Sequence, residues 1–207
     1  MLRVYIADIS GLDLQPAVLK LSAYRLSRLE KVKSELNKKR GIAAELLLNY
    51  AIRELCPETE LPLDIYADEN EKPYLRGREL FFSLSHSGHY SLCAVSDREL
   101  GADIQEQVPF KERLARRFFT AEEFAYILGS SNRDYAFSKV WALKESTIKA
   151  FGLGLKMPLN AFSLQFGEEI GIRGESWKLW HTCVSGYHVA VCSEMDGEPE
   201  IFREIEL

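Results

Sequence analysis

Leu100-Gly101-Ala102-Asp103-Ile104-Gln105 reads as a short strand with a carboxylate at its centre, and the chain on either side arranges into two similar halves. Just upstream the period is that of strands, over residues 63–67, 81–85 and 90–95. Turn-formers Asp68-Glu69-Asn70, Ser87-Gly88 and Ser96-Asp97 separate them. Further back, residues 38–55 carry Ile42, Ala43, Leu46, Leu47 and Tyr50 at helical spacing and are closed by Pro57 and Pro62. Pro16 opens another helical stretch, and residues 4–9 form a first strand. Downstream, a helix over residues 111–128 contains the capping box Thr120-x-x-Glu123. A longer helix over about 132–151 is ended by Gly152, and strands follow at 162–166, 177–184 and 187–192. The order β-α-α-β-β-β-β, then α-α-β-β-β, predicts an α+β protein with residues 1–100 and 101–207 as its two halves.

Length and composition bound the rest. The chain has 207 residues, 46% hydrophobic and 28% charged, with 13 Gly and 7 Pro, which is globular composition. No apolar run approaches the roughly 20 residues of a membrane span. The start, Met1-Leu2-Arg3-Val4-Tyr5-Ile6-Ala7-Asp8, is charged too soon for a signal peptide. Cys56, Cys93, Cys183 and Cys192 form no CxxC pair, as in a reducing compartment. The expectation is a soluble cytoplasmic protein with no membrane partner. Twenty-six Lys and Arg against 31 Asp and Glu, net −5, argue against nucleic acid as a partner. The cations are unevenly placed, with Lys20, Arg25, Arg28, Lys31, Lys33, Lys38, Lys39 and Arg40 together. Such a cluster suits a small phosphorylated ligand, an acidic partner or a solvated helix face.

The chemistry sits at two joints. Asp103 has apolar neighbours, and a buried carboxylate is costly unless it is paired, hydrogen-bonded or bound to a metal. Trp141, Glu145 and Lys149 are four apart and share one helical stripe. An exposed Glu–Lys pair at that spacing contributes only about 0.3–0.5 kcal/mol, but the tryptophan one turn earlier turns this stripe inward. Two carboxylates beside a lysine fit a divalent cation holding a polyphosphate. His86 and His89 lack the further ligands of a zinc site.

These segments resemble the 4′-phosphopantetheinyl transferases, in particular the larger surfactin-synthetase-activating type. The likeness runs from Lys39-Arg40 through Asn70-Glu71-Lys72-Pro73-Tyr74, Ser85-His86-Ser87-Gly88, Gly101-x-Asp103 and Phe118-Phe119-Thr120-Ala121-Glu122-Glu123 to Trp141-x-x-Lys144-Glu145-Ser146-x-x-Lys149. It implies two α+β halves related by a pseudo-twofold, with coenzyme A in the cleft between them. It implies a monomeric, Mg²⁺-dependent enzyme that moves the 4′-phosphopantetheine arm to a serine of an acyl or peptidyl carrier protein, releasing adenosine 3′,5′-bisphosphate. By the same resemblance Asp103 and Glu145 are the metal ligands, and Lys149 contacts phosphate. Arg40, Lys72, Pro73, Ser85 and His86 hold the nucleotide end, and Glu123, or else Glu145 or a metal-bound water, accepts the serine proton. Gln105 stands where many relatives carry Glu and is an outer contact. Lys111, Arg113, Arg116 and Arg117 are docking charges for an acidic carrier.

Two other classes would use the same residues. A two-carboxylate metal phosphohydrolase needs neither the Arg40 region nor a protein acceptor. A non-catalytic module that binds coenzyme A or a carrier would tolerate loss of Asp103 and Glu145, and both are present.

Overall fold

The computed structural model describes residues 1–164, 169–172, 175–194 and 198–207. Its elements run β1 (Leu2–Asp8), α1 (Ala23–Leu29), α2 (Glu35–Leu55), β2 (Ile65–Ala67), β3 (Pro73–Leu75), β4 (Phe81–Ser87), β5 (Tyr90–Ser96) and β6 (Leu100–Glu106). Then come α3 (Glu112–Phe118), α4 (Ala121–Gly129), α5 (Arg133–Ala150), β7 (Glu169–Ile172), β8 (Glu175–Val184), β9 (Tyr187–Ser193) and β10 (Ile201–Glu204). This is the α+β class the sequence pattern predicts.

Period-two alternation sorts the strand side chains into layers. One sheet has the order β10-β1-β5-β4 and the other β6-β9-β8-β7. On the first, Tyr5, Ala7, Cys93 and Val95 pack against Leu47, Leu48, Ala51 and Ile52 of α2. On the second, Ala190 and Cys192 pack against α5 through Ala136, Val140, Leu143 and Ala150. The opposite faces share a further core, in which Val4, Ile6, Leu92 and Ala94 meet Leu100, Ala102, Ile104 and Val191. Each long helix thus has a sheet behind it, and the sheets back onto one another. No helix among the described residues is long and apolar enough to cross a membrane.

Several boundaries differ from the sequence pattern for local reasons. The stretch after Pro16 divides into a 3-10 turn at Val18–Lys20 and α1, because the Ser22 side chain accepts from Arg25 N and starts a new helix. Residues 111–128 divide in the same way. Thr120 and Glu123 form a complete capping box, which opens α4 rather than strengthening one long helix. The strand expected at 162–166 is not seen at Phe162–Leu164, where Leu164 N donates to Glu123 Oε1 at 2.8 Å. Its last two positions lie outside the described residues. Gly152 ends the α5 region as expected, in the left-handed conformation (φ 62°). The acidic tail also contains β10, which pairs parallel with β1, so the last strand lies in the sheet of the first half.

Candidate active site

Gly101 brings the two joints together. A β-carbon on it would stand 2.1 Å from both Ala150 N and Ser146 O, so only glycine lets β6 lie directly under the backbone of α5. Two residues along the same face is Asp103, 6% exposed. From Val140 to Ala150 the helix is buried except at Trp141, Glu145 and Lys149, so the predicted stripe shares one face. That face is the least buried one rather than the one turned inward, because Ala142, Leu143, Ser146 and Ala150 take the core side. Trp141 fills the end of that stripe against Phe118, Phe119 and Phe137. Lys149 Nζ reaches Asp103 Oδ1 at 2.7 Å and the Ala102 carbonyl at 3.2 Å. Ser85 donates to the same Asp103 oxygen at 2.6 Å.

Glu145 completes the group. Its pKa is raised, first by burial and then by the charge on Asp103, with Lys149 opposing both. Two carboxylates that repel one another beside one lysine suit a divalent cation. Mg²⁺ is usually held by one or two carboxylates with substrate phosphate oxygens and water in the remaining positions. Among the described residues no three His, Cys, Asp or Glu side chains gather into a group that could hold a metal by themselves. Gln105 is half-buried, and its amide donates to Glu106 O at 2.8 Å.

Above Asp103 and Lys149 opens a cleft of about 490 Å³, a usual size for a small-molecule site. Lys72, Pro73, Ser83, Ser85 and His86 line it from the first half, and Gly152 and Gly154 from the second. His86 lies at the rim. Loss of hydration, then the Lys149 and Arg40 charges, lower the pKa of its imidazole.

Two predicted contacts are placed differently. Lys72 contributes its stem to the wall, but its ammonium is bound to Glu99 and to the Ala150 carbonyl at 2.9 Å, which makes it a tie between the halves. Arg40 is not among the lining residues; it donates to Gly88 O at 2.8 Å and Asn37 Oδ1 at 2.9 Å, bracing the turn after His86. The arginines that do line the cleft are Arg25 and Arg28 of α1. The signal for them was the basic cluster at residues 20–40, which marks charge but not direction. Arg28 is half-exposed and 3.6 Å from Glu71, whereas Arg25 is tied to buried Glu45 at 3.3 Å.

Glu123 is not brought to the cleft. It is fully buried, accepts from Thr120 N and Leu164 N, and pairs at 2.7 Å with Lys144, itself fully buried. Lys144 also donates to Leu159 O and Phe162 O at 2.6 Å each. A carboxylate so enclosed cannot meet a substrate proton, so the capping box and the buried pair account for Glu123. On α3 and its N-terminal side, Lys111, Arg113, Arg116 and Arg117 are exposed, with Arg116 paired to Glu112 at 2.8 Å.

Comparison with known proteins gives the family. The 4′-phosphopantetheinyl transferase superfamily matches residues 99–192, the span that holds Asp103, Glu145 and Lys149. The chain is 30% identical over 172 residues to the 4′-phosphopantetheinyl transferase ffp of Bacillus subtilis, covering 78% of this chain and 76% of that one. It is 33% identical to the transferase Sfp of Bacillus subtilis strain 168, over 58% of this chain and 57% of Sfp. With psf-1 of Bacillus pumilus it shares 30% identity over 68% of this chain and 61% of the relative. On that extent of likeness, the chain belongs to the 4′-phosphopantetheinyl transferases.

Proposed function

We propose that the cleft binds coenzyme A with Mg²⁺ and transfers its 4′-phosphopantetheine arm to a serine hydroxyl of an acyl or peptidyl carrier protein, releasing adenosine 3′,5′-bisphosphate. The observation that carries this reading is the Asp103–Lys149 pair at one end of a cleft that Arg25 and Arg28 also line, with Glu145 outside the lining but close enough to feel both charges. Attack on a pyrophosphate needs positioned positive charge and removal of one proton. Asp103 and Glu145 would hold Mg²⁺, which offsets the charge of the pyrophosphate oxygens. Lys149 turns its ammonium to the same phosphates, and His86 donates one hydrogen bond at the rim. Arg25 and Arg28 take the nucleotide phosphates, with Pro73 as apolar wall. The serine proton goes to Glu145, beside Asp103 and Lys149.

The same reading assigns Lys111, Arg113, Arg116 and Arg117 to an acidic carrier that docks transiently. It takes residues 1–100 and 101–207 as halves related by a pseudo-twofold, supported by a long helix packed on a four-stranded sheet in each, the first sheet borrowing β10 from the end of the chain. It makes the enzyme a cytoplasmic monomer; four free cysteines, two of them buried, suit a reducing compartment. Intact-mass spectrometry of an apo-acyl carrier protein incubated with the enzyme, coenzyme A and Mg²⁺ tests the reaction. The expected result is a gain of one phosphopantetheine, lost when EDTA is added. Coenzyme A cleavage without a modified carrier would instead mark a phosphohydrolase. Coenzyme A binding with neither reaction would mark a binding module.

A further inference from the structure

β4 and β6 end two different sheets and lie side by side with no backbone ladder between them. They are joined by the alternation Ser83-Leu84-Ser85-His86-Ser87, which puts three hydroxyls on one face of β4. Ser83 Oγ accepts from Ala102 N at 2.9 Å and donates to Ala102 O at 3.3 Å. Ser85 donates to Asp103 Oδ1, and Ser87 Oγ accepts from Glu106 N at 3.0 Å. Ser83 and Ser87 therefore do along this edge what a neighbouring strand would otherwise do, Ser83 for the buried Ala102 peptide and Ser87 for the exposed Glu106 N–H, while Ser85 holds the Asp103 side chain.

Ser83 differs from the other two serines. It engages both the N–H and the C=O of one residue, whereas Ser85 and Ser87 each make a single contact to β6; like Ser85 it is buried. The Ala102 carbonyl it holds also accepts Lys149 Nζ at 3.2 Å, and that ammonium is bound to Asp103 at 2.7 Å. One carbonyl is thus the meeting point of a serine from the first sheet and the lysine of α5.

We infer that Ser83 is a positioning residue for phosphoryl transfer: it fixes the Ala102 peptide, and through it the placement of Asp103 and Lys149. This rests on the reading that the cleft binds coenzyme A with Mg²⁺. Removing the hydroxyl leaves the Ala102 N–H without its partner and lets β6 shift against β4. Asp103 and Lys149 move with it, while Arg25, Arg28 and His86 are carried by other elements. The loss therefore falls on turnover and on Mg²⁺ use, with little change in nucleotide affinity.

Ser83→Ala, Ser83→Cys and Ser83→Thr are compared in two measurements. In steady-state transfer to an apo-acyl carrier protein, Ser83→Ala and Ser83→Cys should lower kcat roughly tenfold, the scale of one buried hydrogen bond. KM for coenzyme A at saturating Mg²⁺ should stay within about twofold, half-saturating Mg²⁺ should rise, and Ser83→Thr, which keeps the hydroxyl, should restore most of the rate. In calorimetry without carrier at one subsaturating Mg²⁺ concentration, the extra coenzyme A affinity gained on adding Mg²⁺ should shrink in Ser83→Ala and Ser83→Cys and persist in Ser83→Thr. Wild-type kcat and Mg²⁺ dependence in folded Ser83→Ala or Ser83→Cys would overturn the inference. So would a loss that follows melting temperature alone. If the wild-type protein modifies no carrier, the transfer reading fails, and the calorimetric comparison still decides the role of Ser83. A wild-type protein whose coenzyme A affinity ignores Mg²⁺ would overturn both.

Discussion

The position of a β-carbon on Gly101 lies 2.1 Å from the amide nitrogen of Ala150, so β6 and α5 meet backbone to backbone. That contact sets Asp103 and Lys149 2.7 Å apart. In Gly101→Ala the obstacle is main chain rather than a side chain that can turn away, so the helix must move. A stability loss of about 1–3 kcal/mol is expected, as for other overpacked sites. Transfer should fall by roughly 100-fold, the scale of an ångström-sized misplacement of reacting groups. Urea unfolding and carrier modification measured on one preparation check both; wild-type transfer would show that the helix yields without moving Lys149.

Glu145→Gln separates stability from activity. Burial and the Asp103 charge disfavour the Glu145 carboxylate in the folded protein, so the neutral amide should leave stability unchanged or raise it by less than about 1 kcal/mol. Transfer should fall by roughly 100- to 1,000-fold, as when a group that stabilises transition-state charge is lost. Thermal melting beside the mass assay reads both. A variant with normal turnover would remove Glu145 from the reaction.

Arg28 lines the cleft, whereas Arg40 braces Gly88 and Asn37 outside it. Arg28→Ala should therefore raise KM for coenzyme A roughly tenfold with kcat little changed, the loss of one charge-assisted contact. Arg40→Ala should act through the turn at Gly88 and affect coenzyme A and its 3′-dephospho form alike. A loss confined to the 3′-phosphorylated substrate in Arg40→Ala would return Arg40 to the phosphate.

How much of this was legible follows from how local each signal is. The stripe Trp141, Glu145, Lys149 needs only helical periodicity, and the strand pattern around Asp103 needs only its own alternation. Both elements are where the pattern put them, but the stripe is the least buried face of its helix rather than the inward one. The capping box at Thr120 was equally local, and it is what closes Glu123 away from the cleft. Features that depend on a distant partner were not readable. The Lys72 ammonium binds groups 27 and 78 residues away, and β10 exists only because β1 offers a parallel edge. Ser83, Ser85 and Ser87 stand in plain alternation, but nothing in the sequence says that β6 lies opposite them.

The Glu123–Lys144 pair is a structural tie between α4, α5 and the segment ending at Leu164. Burial pushes the Lys144 pKa down while Glu123 opposes it. Lys144→Met should cost about 3–5 kcal/mol, because it leaves a buried carboxylate without its counter-charge. Adding Glu123→Gln should recover part of that loss, giving a coupling energy above about 1 kcal/mol in a double-mutant cycle. If Glu123 instead took the serine proton, Glu123→Gln alone would abolish transfer at unchanged stability.

A histidine pair, His188 fully buried and His181 half-buried, should make stability depend on pH. His181 Nε2 and His188 Nδ1 are 3.0 Å apart, and the Tyr135 ring lies edge-on to both. The charged and titratable groups around them are Lys139 and Tyr135 on α5 and Cys183 on β8. Burial, then Lys139 and the neighbouring ring, push His181 down to about 3; burial and Lys139 push His188 down to about 4. Both rings are neutral in the folded protein, whereas an unfolded chain takes up their protons near pH 6.5. Below that pH the unfolded state binds more protons, so the contribution is full above about pH 6.5 and is lost as pH falls toward 4. Counting only the fully buried His188, the loss between pH 7 and pH 5 is on the order of 2 kcal/mol. Urea unfolding at pH 7, 6 and 5 should show at least that slope, and His188→Asn should reduce it. Equal stability of the wild-type protein at all three values would mean that the pair is protonated in the fold.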